Sequence, residues 1–200
     1  MRKNVFGNPA IWVLAIANFF VYIVRYAVLD WGPTLLGEWK GVSIHHAGWM
    51  VAAFEISGIV GMLVAGWATD RFFGGRGPRV CVICMALATV FVALFWGISQ
   101  PPMWLATLLL GAAGFCIYGP QALVGIAAAN IATKKAAATA VGFTGLFGYA
   151  STLVSGWGLG LLAQHYGWNI AVGALILIAI MGTLIFMAAW SAKANGYDND

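Results

Sequence analysis

Six runs of mainly apolar residues, each long enough to cross a bilayer as a helix, follow one another through this 200-residue chain. A membrane-spanning helix needs about 20 such residues. Glycines and prolines that favour turns separate the runs, as in the FGGRGP segment at 73–78. The sequence therefore predicts an all-α membrane protein with six transmembrane helices. The predicted helices cover about residues 9–36, 47–69, 80–98, 103–131, 137–163 and 168–192.

The composition excludes an ordinary soluble domain. Charged residues make up 8% of the chain and hydrophobic residues 62%, whereas about 25% of the residues in a globular domain are charged. So few charges cannot cover a soluble surface, but lipid can solvate an apolar one. The net charge of +4 does not indicate a nucleic-acid partner, because the basic residues are scattered at the ends of apolar runs. Membrane lipid is the expected surroundings.

Most of the basic residues fall at one end of the predicted helices. Only Lys40 lies in a loop at the other end, and Arg25 lies inside the first helix. Cytoplasmic loops carry an excess of Lys and Arg, so we expect both termini on the cytoplasmic side of an inner (plasma) membrane. The eight residues on that side are Arg2, Lys3, Arg71, Arg76, Arg79, Lys134, Lys135 and Lys193.

Arg25 is a cation in the middle of an apolar helix. Placing Arg at the centre of a membrane helix costs about 2.5–3.5 kcal/mol on insertion scales, so its side chain should face a partner or a water-filled cavity. Asn18 and Tyr22 lie on the same helical stripe as Arg25. Because guanidinium binds phosphate or carboxylate through paired hydrogen bonds, this polar stripe predicts an anion site. A structural arginine paired with an acid is the alternative.

Two acids accompany Arg25 in the predicted membrane region. Glu55 lies early in the second helix, and Asp30 lies five residues after Arg25. We expect Glu55 to pair with Arg25 when no substrate is bound, which leaves Asp30 in need of a cation from elsewhere or of water. Glu55 has two other interpretations. It can be a carboxylate that couples protons to transport, or a carboxyl group that is protonated or hydrogen-bonded for packing.

Two tyrosines are further candidates for the interior. Tyr118 precedes Pro120 in the fourth helix, and proline inside a membrane helix is tolerated where a neighbour or a cavity satisfies the freed carbonyl. Tyr149 follows a glycine-rich run in the fifth helix. A buried hydroxyl needs a partner, so we expect both to line the site; tyrosines of an interfacial aromatic belt are the alternative.

The sequence predicts neither an enzyme nor a metal or cofactor site. It contains no nucleophile elbow, no phosphate-binding glycine loop and no paired catalytic carboxylates. His45 and His46 are adjacent but lack a third ligand. Cys81 and Cys84 have the spacing of a redox motif, but they lie in an apolar run without the βαβ context of such motifs.

Four segments resemble a known family or its wider superfamily. The first, AIANFFVYIVRYAVLDWGPTLL at 15–36, resembles the seventh transmembrane helix of the organophosphate/phosphate antiporters. Segments within 117–151 resemble the tenth and eleventh helices of the same family. The segment GWATDRFFGGRGPR at 66–79 resembles the loop signature of the wider major facilitator superfamily. The signature positions are Gly66, Asp70, Arg71 and Arg76.

The resemblance implies a fold and a set of roles. It implies the six-helix, C-terminal half of a major facilitator fold, in which two half-domains enclose a site at the bilayer midplane. The N-terminal half is absent from this sequence, so a separate half-domain or a second copy is an expected partner. Arg25 matches the arginine with which the C-terminal half grips phosphate. Residues matching the lining of the site are Tyr22, Tyr118 and Tyr149, and those matching acids of changing salt bridges are Asp30 and Glu55.

The function implied is exchange of an organophosphate for inorganic phosphate. The fifth helix lacks the acid and the lysine found there in hexose-phosphate transporters, which favours glycerol 3-phosphate as the organophosphate. The segment GPQALVGIAAA also resembles the hexose-phosphate sensor branch. A sensor that binds without transporting, and an inactive truncated fragment, are therefore the alternatives.

Overall fold

The computed structural model describes residues 5–98 and 101–192, and within these residues every regular element is helical. Six helical segments are long and apolar enough to cross a membrane, which confirms the prediction of an all-α protein with six spans. A π-helical turn at Val154–Gly158 interrupts the fifth of these, Lys134–Tyr166. The α-helices are α1 Pro9–Lys40, α2 Ile44–Phe73, α3 Gly77–Gly97, α4 Met103–Ile131, α5 Ala137–Ala150, α6 Leu159–Tyr166 and α7 Trp168–Ala188.

The first two helices are longer than predicted because caps, rather than hydropathy, set their ends. The first was expected to stop near residue 36, but α1 continues to Lys40. There Gly41, at φ 68°, donates its backbone N–H to the Gly37 carbonyl. The second was expected over 47–69, but α2 begins after Ser43, whose hydroxyl accepts the backbone N–H of His46. The last helix is shorter than predicted and ends at Ala188.

A close approach of α2 and α4 forms the centre of the bundle, and α4 is the most buried span. Gly61 of α2 faces the backbone of Phe115, and a Cβ at Gly61 would overlap that backbone. One turn away, the Ser57 hydroxyl donates to the Gly111 carbonyl at 2.7 Å. Small residues allow such contact between membrane helices, and this contact fixes the position of α2 side chains relative to those of α4.

Trp31 of α1 braces the interruption in the fifth span. Its indole Nε1 lies 3.1 Å from both the Ser155 and the Gly156 carbonyl oxygens. Gly160 leaves room for the indole, since a Cβ there would approach the ring to 2.6 Å. A π-turn shifts the helical hydrogen-bond pattern by one residue, and the indole binds the carbonyls at that shift.

The basic loops meet at the end of the bundle where α1 begins. The predicted FGGRGP turn is present, with Gly74 and Gly75 at φ 58° and 76°. Arg79, at the start of α3, donates through Nε to the Trp190 carbonyl at 3.3 Å. This bond ties the loop between α2 and α3 to the end of the last span. Three of the residues in the charge argument, Arg2, Lys3 and Lys193, lie outside the described residues.

Candidate functional site

Arg25 lies where α1, α2 and α4 meet, and it contacts one side chain from each neighbour. An Nη of Arg25 donates to the Tyr118 hydroxyl at 2.8 Å and lies 3.6 Å from Glu55 Oε2. The Tyr118 hydroxyl in turn donates to the same Glu55 oxygen. The pairing of Arg25 with Glu55 that the sequence predicts is therefore present, and Tyr118 connects the two charges.

The pair is partly exposed. The side chain of Arg25 is 16% exposed and that of Glu55 is 32% exposed, so neither is sealed in the core or turned fully outward. An anion can therefore reach the guanidinium without unpacking the helices. This access favours a binding site over a purely structural pair.

Two aromatic rings cover the guanidinium. Its Cζ lies 4.6 Å from the Tyr118 ring centroid and 5.4 Å from that of Tyr26. Such contacts are attractive for a cation, so they hold the guanidinium in place while part of it remains available. The sequence analysis missed Tyr26, although its spacing of four residues from Tyr22 on α1 is a signal that could have identified it.

A second part of the site lies between α1 and α5. Asn18, which is buried, donates through Nδ2 to the Thr144 carbonyl at 2.9 Å. The Tyr22 and Tyr149 rings are 5.9 Å apart, and Tyr149 is 64% exposed. Tyr118 and Glu55 thus contact Arg25 directly, whereas Asn18 and the Tyr22–Tyr149 pair line the neighbouring contact between α1 and α5.

Gln121 is a further member that the sequence analysis did not select. It lies one turn along α4 from Tyr118, and its Oε1 is buried without a hydrogen-bond partner. Its position follows from the antiparallel packing of α1 and α4, because Arg25 meets Tyr118 and Tyr22 meets Gln121. Sequence spacing along α4 alone places Gln121 near Tyr118, but only the packing shows which face of α1 it meets.

Unpartnered polar atoms are concentrated in this group. Among the described residues, four buried side-chain nitrogen or oxygen atoms have no hydrogen-bond partner, and all four belong to the site. A buried group of this kind costs about 1–3 kcal/mol, and functional sites are where such costs are found. The atoms are Arg25 Nε, Glu55 Oε1, Asn18 Oδ1 and Gln121 Oε1.

Asp30 and the loop signature lie apart from this group. Asp30 is exposed, and within the described part of the chain its carboxylate has no hydrogen-bond or ion-pair partner. Gly66 and Asp70 line a cavity of about 100 Å³ near the turn between α2 and α3. Arg71 is exposed there, and neither it nor Arg76 lines that cavity. The transport roles expected for these five residues remain predictions.

The histidines and cysteines form local contacts. Ser43 Oγ lies 2.8 Å from His46 Nδ1, and Trp49 donates its indole N–H to His45 at 3.3 Å. Cys81 and Cys84 are free thiols. In residues 5–98 and 101–192, no three His, Cys, Asp or Glu side chains are grouped as metal ligands would be.

Comparison with known proteins agrees with this architecture. Residues 5–196 match the sequence profile of the Major Facilitator Superfamily. The chain is 40% identical to a probable hexose phosphate transport protein of Chlamydia pneumoniae, over 94% of this chain and 42% of that protein. It is 36% identical to the glycerol-3-phosphate transporter of Haemophilus influenzae, over 95% of this chain and 44% of that protein.

A sensor is also among the relatives. The chain is 34% identical to the membrane sensor protein UhpC of Salmonella typhimurium, over 97% of this chain and 44% of that protein. The chain thus spans less than half the length of the relatives it matches. Six apolar spans, one buried arginine site and a match along nearly the whole chain agree: this protein belongs to the Major Facilitator Superfamily, among members similar to hexose-phosphate and glycerol-3-phosphate transporters.

Proposed function

We propose that the complete protein carries an organophosphate, with glycerol 3-phosphate as the first candidate, across the inner membrane in exchange for inorganic phosphate. The arrangement around Arg25 is the observation that supports this most directly. The Arg25 side chain is 16% exposed, and its Nε is buried without a hydrogen-bond partner. Among the described residues, its one acidic partner is Glu55, at 3.6 Å. The names of the transporter relatives point to the same class of substrate.

Substrate binding would proceed by exchange of partners on Arg25. Two phosphoryl oxygens can accept from the two edges of a guanidinium at once, whereas Glu55 contacts a single Nη. A phosphate dianion also carries more charge than the carboxylate, so it displaces Glu55 from Arg25. The Tyr22 and Tyr149 hydroxyls then donate hydrogen bonds to the phosphoryl group. Release of phosphate would restore the pair and reset the site.

The remaining part of the carrier would face the open side of these six helices. A partner half-domain, encoded in the same chain or separately, or a second copy of these helices, would enclose the site on that side. Rocking of the two halves about the site would expose it to each side of the membrane in turn. The role predicted for Asp30, a salt bridge that changes during transport, would belong to this motion.

The test is Arg25→Lys in the complete protein reconstituted into proteoliposomes. Lysine keeps the charge but loses the planar fork, so we expect exchange of labelled phosphate to fall by about a hundredfold or more. Lys135→Arg, the reverse exchange at an exposed lysine between α4 and α5, is the control and should leave exchange unchanged. Near-normal exchange by the Arg25→Lys protein would reject the assignment.

A sensor is the second candidate, and the similarity to UhpC favours it. Such a protein would bind an organophosphate at the same arginine and signal without moving it. Parallel measurements of binding and of flux on the same proteoliposomes separate the two functions. Saturable phosphate binding without counterflow would replace the carrier by the sensor, whereas counterflow excludes a pure sensor.

A substrate panel addresses the choice of organophosphate. Glycerol 3-phosphate and a hexose 6-phosphate are added in turn outside the vesicles. The preferred organophosphate is the one that reduces phosphate counterflow at the lower concentration. We expect glycerol 3-phosphate to be the better substrate. Preference for the hexose phosphate would place the protein with its relatives from Chlamydia.

A further inference from the structure

The four unpartnered atoms of the site differ in what they need. Arg25 Nε is a donor and requires an acceptor such as a phosphoryl oxygen. Gln121 Oε1 and Asn18 Oδ1 are amide carbonyl oxygens and require donors. The phosphoryl dianion of an organophosphate monoester has no hydrogen to donate, so the group that satisfies Arg25 cannot satisfy these two oxygens.

The two amide oxygens lie on the same side of Arg25 along the bundle. Tyr22 and Asn18 precede Arg25 on α1 by three and seven residues, which is about 4.5 Å and 10 Å along the helix axis. Gln121 lies at the level of Tyr22. A ligand whose phosphate sits at Arg25 can therefore extend its carbon chain toward Gln121 first and toward Asn18 beyond it.

Both amide oxygens are buried without a hydrogen-bond partner. The Asn18 amide is held by its Nδ2 on the Thr144 carbonyl at 2.9 Å, so its Oδ1 is turned away from that bond. Asn18 is also confined by α5, since a Cβ at Gly148 would approach Nδ2 to 2.9 Å. Gln121 Oε1 likewise has no hydrogen-bond partner.

We propose that Gln121, assisted by Asn18, accepts hydrogen bonds from hydroxyl groups on the carbon chain of the bound organophosphate, so that the site selects polyol phosphates over alkyl phosphates. This inference rests on the proposed function, because it assumes that a phosphate occupies Arg25. An alkyl chain would leave both buried carbonyl oxygens unpaired. A site with buried polar groups discriminates against ligands that leave those groups without a hydrogen bond.

The experiment measures displacement of labelled inorganic phosphate from the complete protein by three competitors: unlabelled phosphate, glycerol 3-phosphate and n-propyl phosphate. The last has the same carbon count and no hydroxyl. The variant Gln121→Met replaces the amide by an apolar side chain of similar length. We expect the affinity for glycerol 3-phosphate to fall about five- to tenfold, while the affinities for n-propyl phosphate and phosphate stay within twofold.

A control variant and the competition by unlabelled phosphate keep the possible outcomes distinct. Gln164→Met changes an exposed glutamine at the surface of α6 and should alter none of the three affinities. Unchanged phosphate affinity in Gln121→Met shows that the site is still formed. Equal weakening of all three competitors, or no change in any, would overturn the role of Gln121. Failure of the unaltered protein to bind phosphate would instead overturn the proposed function, and this inference with it.

Discussion

Tyr118 is the residue on which the candidate site depends most. Its hydroxyl accepts from Arg25 and donates to Glu55, while its ring lies 4.6 Å from the guanidinium carbon. The ring and the hydroxyl therefore act on the same cation in different ways. They can be separated by experiment, because phenylalanine retains the ring alone.

We expect Tyr118→Phe to retain phosphate binding but to slow exchange about tenfold, because the hydroxyl that links Arg25 to Glu55 is removed. The readouts are binding and counterflow of labelled phosphate in the same vesicles. Tyr166→Phe, at an exposed tyrosine, is the control. A Tyr118→Phe protein with unchanged exchange would show that the hydroxyl link has no role in transport.

Glu55 competes with substrate if the exchange of partners on Arg25 is correct. Glu55→Gln removes the competing charge but retains the shape, so we expect phosphate to bind several-fold more tightly and to be released more slowly. Equilibrium binding and counterflow again report the two effects. Weaker phosphate binding in Glu55→Gln would contradict a competing role and favour the proton-coupling or packing interpretation of this carboxyl.

At the level of secondary-structure elements, the contact between α2 and α4 positions the side chains of the site. Gly61 of α2 packs directly against the Phe115 backbone of α4. We expect Gly61→Ala to force the helices apart and to lower stability by about 1–3 kcal/mol, as overpacking does. Thermal unfolding in detergent measures this effect. Gly142→Ala, where a Cβ has open space, should be neutral or slightly stabilising, and equal effects of both changes would refute the argument from close packing.

The interruption in the fifth span depends on Trp31. Trp31→Phe keeps an aromatic ring but removes the N–H bound to the Ser155 and Gly156 carbonyls. We expect backbone amides in 152–160 to exchange with deuterium about tenfold faster, because opening of this turn becomes easier. Trp67→Phe, on the exposed face of α2, should leave that exchange unchanged. Protection of 152–160 in Trp31→Phe equal to that in the unaltered protein would show that the brace is not needed.

Hydropathy predicted the elements well, and charge compensation predicted one contact of the site. The pairing of Arg25 with Glu55 could be inferred because a buried guanidinium requires an anion. The ends of α1 and α2 could not be inferred from hydropathy, because the caps at Gly41 and Ser43 set them. The π-turn leaves no trace in hydropathy. The sequence analysis missed Gln121 because its position at the site depends on how α4 aligns against α1. Only the packing of the two helices determines that alignment.

At the scale of the whole molecule, orientation in the membrane is the main untested expectation. The exposed Phe72 lies at the end that carries the basic loops, and the exposed Ile44 lies at the other. A membrane-impermeant thiol reagent should label Ile44→Cys in intact cells and Phe72→Cys only after permeabilisation, because basic loops stay in the cytoplasm. The opposite pattern would place both termini outside.

If partners are exchanged on Arg25 as proposed, the Tyr118 hydroxyl links binding of the anion to the packing of the helices. An anion at Arg25 would take that hydroxyl's donor and the partner of Glu55, while Tyr118 would keep its hydrogen bond to Glu55. Part of the intrinsic attraction for the anion would then be consumed in loosening α1 from α2 and α4. The observed affinity for phosphate should consequently be modest, and weak retention of cargo is what rapid unloading on the far side of a membrane requires.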